Sequence, residues 1–460
     1  MSFPRHAKYK DSGVEWLGQI PIHWDVLRLK HACEVFPSNV DKHARDDEPP
    51  VLLCNYTDVY YNERITADMT FMAATASADQ IARITLKGGD TIITKDSETA
   101  DDIAIAAYVP EDLPGVVCGY HLSMVRPRAS TCGAYVKRLF DSFYAKARFA
   151  VAANGLTRVG LGQYALDNVE LPFPPPEEQR AIATFLDGET AKIDTLVEEQ
   201  RRLIELLKEK RQAVISQAVT KGLNPNVPMK DSGVKWLGKV PAHWRLKRIK
   251  QLVNCFEQGW SPQCADYPVE SDQEWGVLKV GCVNGGTFRQ DENKTLPSSL
   301  EPQPGLSLLA GDLLISRANT RDLVGGAAVV DRDYANLLLC DKLYRLRFDR
   351  ACTSRFIGLY LGTSGVRGQI ELAATGASSS MLNIGQSTIL ELNVALPDLE
   401  EQQAITAYVD QICSQLDALT VEAESATALL QERRSALISA AVTGKIDVRG
   451  LVPQPEAVAA

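Results

Sequence analysis

Two short runs hold the side chains best suited to chemistry. Thr94-Lys95-Asp96-Ser97-Glu98 sets carboxylates beside a lysine, as a nuclease site would. At the matching place later in the chain stands Arg317-Ala318-Asn319-Thr320-Arg321, which has no acid. A duplicated nuclease site would not lose its carboxylates in one copy, so a solvated or DNA-facing loop fits both runs better. Arginine can bond guanine through two hydrogen bonds, asparagine or glutamine can do the same to adenine, and lysine or serine can hold phosphate. Polar loops concentrate these types. The candidate DNA contacts in the first half are Asn55, Thr57, Lys95, Ser97, Asn154, Thr157 and Arg158. In the second half they are Lys279, Asn284, Arg289, Arg317, Asn319, Arg321, Ser378 and Ser379.

Catalytic signatures are missing. The chain has no GxxxxGK[ST] phosphate loop, and Thr443-Gly444-Lys445 is a fragment at a helix end. It has no GxGxxG, HExxH or GxSxG, and no Asn-Pro-Pro-aromatic run for base methylation. The 6 histidines are dispersed, and His23 and His243 occupy equivalent repeat positions, which points to a structural role. The 10 cysteines form no CxxC pair, which argues against a disulfide framework or a structural zinc site. The expectation is therefore a chain with no catalytic residue and no metal ligand.

The elements that position these loops come in duplicate. Lys10–Trp24 reads KDSGVEWLGQIPIHW and Lys230–Trp244 reads KDSGVKWLGKVPAHW. Glu177–Ile182 (EEQRAI) likewise returns as Glu400–Ile405 (EEQQAI). The tryptophans and the Asp-Ser-Gly turns suggest a compact cap on a neighbouring element. After each EEQ begins a long helical signal, opened by prolines and by acids that suit a helix N-terminus. Spacings of four and three place Ile182, Leu186, Ile193, Leu196, Leu203 and Leu207 on one stripe. The same frame in the second copy holds Ile405, Val409, Leu416, Leu419, Leu430 and Leu437. Each helix should run about 40 residues, roughly 60 Å. Two such stripes find their natural partners in each other, paired antiparallel.

Between the repeats lie variable blocks with short strand signals. These are Val51–Leu53, Thr91–Thr94, Ile103–Val109 and Val116–Gly119, then Trp275–Val280, Asp312–Ser316, Ala327–Val330 and Lys342–Phe348. Each block ends in a Gly-rich polar loop, Ala153–Gly162 or Ala374–Gly385. The fold class is α+β: two tandem mixed α/β domains separated by two long helices that pair as an antiparallel coiled coil. The segments are 1–25 (first repeat), 26–174 (first variable domain), 175–225 (central helix), 226–245 (second repeat and linker), 246–397 (second variable domain), 398–449 (C-terminal helix) and 450–460 (a disordered tail). Near-identical scaffolds with different loops suit a protein that reads a two-part target.

The 460 residues are 45% hydrophobic and carry a net charge of −9 with a pI of about 5.4. That balance disfavours nucleic acid as a partner but leaves room for a locally basic groove or for basic surface from other subunits. No apolar run reaches the roughly 18 residues of a membrane span, and Met1–Lys10 lacks a signal-peptide core, so a cytoplasmic protein is expected.

The KDSGVxWLGxxPxHW segments, the P-x-x-EEQxxI helix starts, the two long helices, the Gly-Asp-x-x-Ile strand starts and the duplicated order together resemble the DNA specificity subunit of type I restriction–modification enzymes. The resemblance covers nearly the whole chain. It implies two target-recognition domains that each read half of a bipartite, asymmetric site in double-stranded DNA. It also implies a helical spacer that sets the gap between half-sites, and docking of two methyltransferase subunits and of restriction (motor–nuclease) subunits. S-adenosylmethionine, ATP and Mg would be used by those partners, with no cofactor bound by this chain. Two other readings differ in kind: a stand-alone nuclease or methyltransferase with an unusual site, and a non-catalytic tandem-repeat scaffold for proteins.

Overall fold

The computed structural model describes residues 3–378 and 381–451. Ser379 and the tail beyond 451 lie outside the described residues, and only the backbone of Ser378 is described. The chain divides into two compact units, 1–201 with 424–460, and 202–423. The division falls inside both long helices, Pro176–Lys221 and Leu399–Val442, which are 46 and 44 residues long. Each unit therefore holds one repeat, one variable block, the start of the helix that follows it, and the end of the other helix.

The repeats form hairpins. In the first unit Tyr9–Asp11 runs antiparallel to Gln19–Pro21, and in the second Met229–Asp231 runs antiparallel to Lys239–Pro241. The Asp-Ser-Gly turn closes each hairpin through side-chain acceptors. Gly13 N donates to Asp11 Oδ1 at 2.9 Å and Val14 N to Ser12 Oγ at 3.1 Å; Gly233 and Val234 repeat both bonds. Gly13, Gly18, Gly233 and Gly238 all have φ between 65° and 73°, which only glycine adopts without cost, so the repeated DSGVxWLG spells out the turn.

The end of each variable block returns to its start. Asp25–Arg28 pairs with Glu170–Phe173, and Arg245–Arg248 with Asn393–Leu396, both antiparallel. Inside each block is an antiparallel four-stranded sheet. Its order in the first unit is Cys33–Pro37, Leu122–Pro127, Thr91–Thr94, Ala106–Tyr108. In the second it is Val253–Gln258, Leu343–Phe348, Leu313–Ser316, Ala327–Val329. A mixed sheet, of three strands in the first unit and four in the second, flanks each, including Pro50–Cys54 with Val116–Cys118 and Gly276–Leu278 with Tyr334–Leu338, both parallel pairs. The Gly-Asp strand starts are structural. Asp90 and Asp312 are each 1% exposed, and each is gripped by both arms of an arginine, Arg126 at 2.8 and 2.7 Å and Arg347 at 2.5 and 3.0 Å. A buried carboxylate needs such a partner.

Within each unit the long helices lie side by side, antiparallel. In the first unit Asp194 meets Arg434, and Tyr135 bridges Pro172 O, just before the central helix, to Val442 O at the end of the other. In the second unit Arg211 faces Asp417, while Gly222 lies beside Glu401. Of the stripe residues, Ile182, Leu186, Ile193, Leu207, Ile405, Val409, Leu416 and Leu437 are buried, and Leu430 packs half-buried against the first core. Leu196, Leu203 and Leu419 are not: they stand 44%, 41% and 48% exposed. A straight helix drifts about 20° per heptad from a strict seven-residue repeat. Val197, one position on from Leu196, comes round to the buried side in its stead. Among the described residues, no helix is long and apolar enough to cross a membrane.

Candidate nucleic-acid interface

The two repeated motifs meet each other in each unit. Glu178 accepts from the indole Nε1 of Trp24 at 3.1 Å and pairs with His23 Nε2 at 2.8 Å. Glu401 does the same for Trp244 at 3.0 Å and His243 at 2.8 Å. The next residue ties the helix start to the block. Gln179 accepts from Cys132 N and donates to Pro174 O, both at 2.8 Å, and Gln402 accepts from Thr353 N at 2.9 Å and donates to Pro397 O at 3.0 Å. His-Trp and Glu-Gln are thus one knot that fixes hairpin, helix and block. This assigns His23 and His243 to structure, as the repeat predicts. Trp24 and Trp244 are wholly buried, but the other repeat tryptophans part ways. Trp236 lies against Gly365 and Tyr360, whereas Trp16 is 66% exposed. The first unit carries Tyr144 at the register of Gly365, where even a Cβ would meet the Trp236 indole at 3.0 Å.

From this frame the polar loops project. Lys95 follows the strand Thr91–Thr94; its N donates to His121 O at 2.9 Å and its O accepts from Leu161 N at 2.8 Å. Arg317 follows Leu313–Ser316; its N donates to Lys342 O at 2.8 Å and its O accepts from Ile384 N at 3.0 Å. The same two backbone bonds hold a lysine in one unit and an arginine in the other.

Four of the first block's candidates, Asn55, Thr57, Ser97 and Arg158, lie around Tyr56. Asn55 and Thr57 flank it and line one hollow with Tyr120 and His121. Burial lifts the Tyr56 phenol, while a hydrogen bond with Ser97 and the nearby Arg158 pull it down. Ser97 pairs with Val159 across a two-residue ladder, which brings the loop of Asn154, Thr157 and Arg158 alongside. Lys95 Nζ stands 5.0 Å over the Tyr120 ring. The acids are engaged: Asp96 holds His121 Nδ1 at 2.6 Å and Asp102 holds the Tyr60 hydroxyl at 2.7 Å, which pushes that phenol up to about 12. Ser97 is buried, so its hydroxyl orders the face rather than meeting solvent.

The second block's candidates are less compact. Asn319 Nδ2 reaches Asn284 Oδ1 at 3.5 Å, and Arg317, half-buried, lies two residues before Asn319 and four before the exposed Arg321. The strand Ala318–Asn319 pairs with Met381–Asn383, which in turn pairs with Thr375–Ser378 and so carries the backbone of Ser378 to this edge. Lys279 and Arg289 sit at the base of the turn that presents Asn284. Lys279 N bonds Glu292 O at 2.8 Å, and Arg289 Nη2 bonds Gly281 O at 2.9 Å. Tyr56, Tyr120 and His121 escape a search for polar base readers, although aromatics beside a basic residue are the signal for stacking.

Residues 21–206 match the family described as type I restriction modification DNA specificity domain. The EcoEI specificity subunit of Escherichia coli is 26% identical over 266 residues, covering 58% of this chain and 44% of that protein. The EcoKI specificity subunit of Escherichia coli (strain K12) is 22% identical over 423 residues, 90% of this chain and 86% of that one. This chain thus spans under half of the first relative and most of the second. In fold it is similar to the HsdS subunit from Thermoanaerobacter tengcongensis, with a TM-score of 0.53 at 20% identity over 92% of this chain and 98% of that chain. A chain from a structure of complex assembly and conformational transition of the type I R-M system gives a TM-score of 0.65 at 20% identity, again over 92% and 98%. Residues 21–206 thus carry a match to the type I restriction modification DNA specificity domain, and over most of its length the chain is similar to type I restriction enzyme specificity subunits.

Proposed function

We propose that this chain binds double-stranded DNA at a bipartite, asymmetric site, each unit's loops reading one half, and that it has no catalysis of its own. The observation that carries this reading is the shared frame around Lys95 and Arg317. One scaffold presents different side chains at the same position, as two different half-sites require. The paired helices act as the antiparallel coiled-coil spacer that sets the gap. The chain docks two methyltransferase subunits and the restriction subunits, which use S-adenosylmethionine, ATP and Mg.

The test is genome-wide detection of methylated bases in a host lacking other methyltransferases. The chain is expressed with its methyltransferase partner, then again with each variable block exchanged in turn. The expected result is a split motif in which one half changes with each exchange. Methylation that does not depend on this chain would overturn the reading in favour of a protein scaffold. Methylation or cleavage by the chain alone would overturn its non-catalytic role.

A further inference from the structure

Beside the first knot lies a cluster that the second knot lacks. His6 is 5% exposed, and among the described residues neither of its ring nitrogens has a hydrogen-bond partner. Buried polar atoms are rarely left idle, because leaving them so costs free energy. Nε2 of His6 lies 3.8 Å from Glu178 Oε1, and its Nδ1 lies 3.6 Å from Asp447 Oδ2. One ligating atom each from His6, His23 and Glu178 falls within 4.8 Å of the other two. Asp447 is itself fixed, by Arg449 at 2.6 and 2.9 Å and by its own N–H to Pro4 O at 2.8 Å.

The second unit supplies the control. Ala242 N donates to Pro228 O as Ile22 N donates to Lys8 O, a register that puts Asn226 where the first unit has His6. Gly222 and Gly444 end the two helices with φ of 77° and 71°, which puts Pro225 where the first unit has Asp447. The second knot holds its indole and its helix start with neither group. His6 and Asp447 are therefore additions to the knot and are not needed to tie it.

We propose that His6, His23 and Glu178 form a binding site for one divalent transition-metal ion of the zinc type, with Asp447 orienting His6 from behind. Two imidazoles and a carboxylate are a donor set that zinc accepts. A carboxylate 3.6 Å from Nδ1, too far to accept a hydrogen bond as it stands, favours the proton on that nitrogen and leaves Nε2 as the ligand. The 3.8 Å separation of His6 from Glu178 already admits an ion, and the 2.8 Å contact of His23 with Glu178 opens to share it. His23 is partly exposed, which leaves the fourth position to water. The ion would tie the N-terminal segment, the start of the central helix and the residues after the C-terminal helix into one joint. No reaction is assigned to it.

The test is titration of the full chain, stripped with a chelator, with Co²⁺ and then Zn²⁺, followed by visible absorption and calorimetry. The expected result is one Co²⁺ per chain with a tetrahedral-type spectrum and no thiolate charge-transfer band, displaced by Zn²⁺. His6→Asn, which copies the second unit, should weaken Zn²⁺ binding by at least about 100-fold, and Asp447→Asn by roughly 10-fold. Neither should change the melting of the metal-free chain by more than a few degrees. Absence of Co²⁺ binding, a thiolate band from the cysteines, or two equivalent ions per chain would overturn the site. Affinity unchanged by His6→Asn would also overturn it. If that variant does not fold, unchanged affinity in Asp447→Asn overturns the site in its place.

Discussion

Removing Glu401 tests whether the knot or the apolar packing around it holds the second hairpin. In Glu401→Ala the indole N–H of Trp244 loses its acceptor at 3.0 Å while the ring stays wholly buried. An orphaned buried donor costs about 1–3 kcal/mol. His243 is half exposed, so water replaces its lost partner, and that pair adds at most about 1 kcal/mol. The sum is about 1–4 kcal/mol, or roughly a 5- to 700-fold shift in a local opening equilibrium at 1.4 kcal/mol per tenfold. Native-state hydrogen exchange reads this directly, as lost protection in Met229–Asp231 and Lys239–Pro241 with the Tyr9–Pro21 hairpin unchanged. Trp244→Phe removes the donor, so adding Glu401→Ala to it should cost clearly less than Glu401→Ala alone. Loss of protection below about threefold, or strict additivity of the two changes, would show that the hydrogen bond contributes little and that ring packing suffices.

Arg317→Ala should weaken binding to cognate duplex and relax one half-site only; equal loss on random DNA in a filter-binding series would mark a phosphate contact instead. The first unit should lose stability in acid. Burial raises the Glu63 carboxyl, but Lys137, Arg138 and Arg434 outweigh it and hold it at about 2, below its ordinary 4.5. A depressed folded-state value stabilises above the unfolded one, so the contribution is present at neutral pH and disappears as pH falls from about 4.5 to about 2. Glu63→Gln should flatten that part of a pH-dependent urea titration, and an unchanged profile would refute the assignment. Gly444→Ala should destabilise more than Gly222→Ala. Both have positive φ, which costs an L-residue about 1–2 kcal/mol, but a Cβ on Gly444 would meet Pro21 Cδ at 2.3 Å whereas on Gly222 the nearest atom is 3.4 Å away. Equal melting temperatures for the two variants would count against the clash.

What the sequence discloses depends on the range of the contacts involved. Thr91–Thr94 and the second unit's Leu313–Ser316 are apolar runs set off by a Gly-Asp turn, so local pattern finds them almost to the residue. Asp96–Ser97 and Val159–Gly160 are two-residue strands that exist only because they pair with each other, and nothing local marks them. The repeats disclose that His23 and Trp24 matter together, but not that Glu178 is their partner, because a repeat shows which residues recur and not what they touch. Ser97 and Arg158 come together at Tyr56 because the ladder at Ser97 and Val159 folds one loop onto another. The idle nitrogens of His6 are equally invisible, since Glu178 and Asp447 are far along the chain. The exposed leucines at 196, 203 and 419 show the limit of a strict heptad on straight helices.

The division inside the long helices also sets an order on synthesis. The second unit, 202–423, is one continuous stretch and can close as soon as it has emerged. The first unit waits for residues from 424 onward, because Leu437, Ile438, Ala441 and Val442 complete its core. At roughly 5–20 residues per second, the ribosome spends on the order of ten to forty seconds between Arg201 and Glu424. During that interval Ile182, Leu186 and Ile193 have no covering helix from their own chain. The half made first is finished last, and the nascent protein depends on whatever shields that face in the meantime.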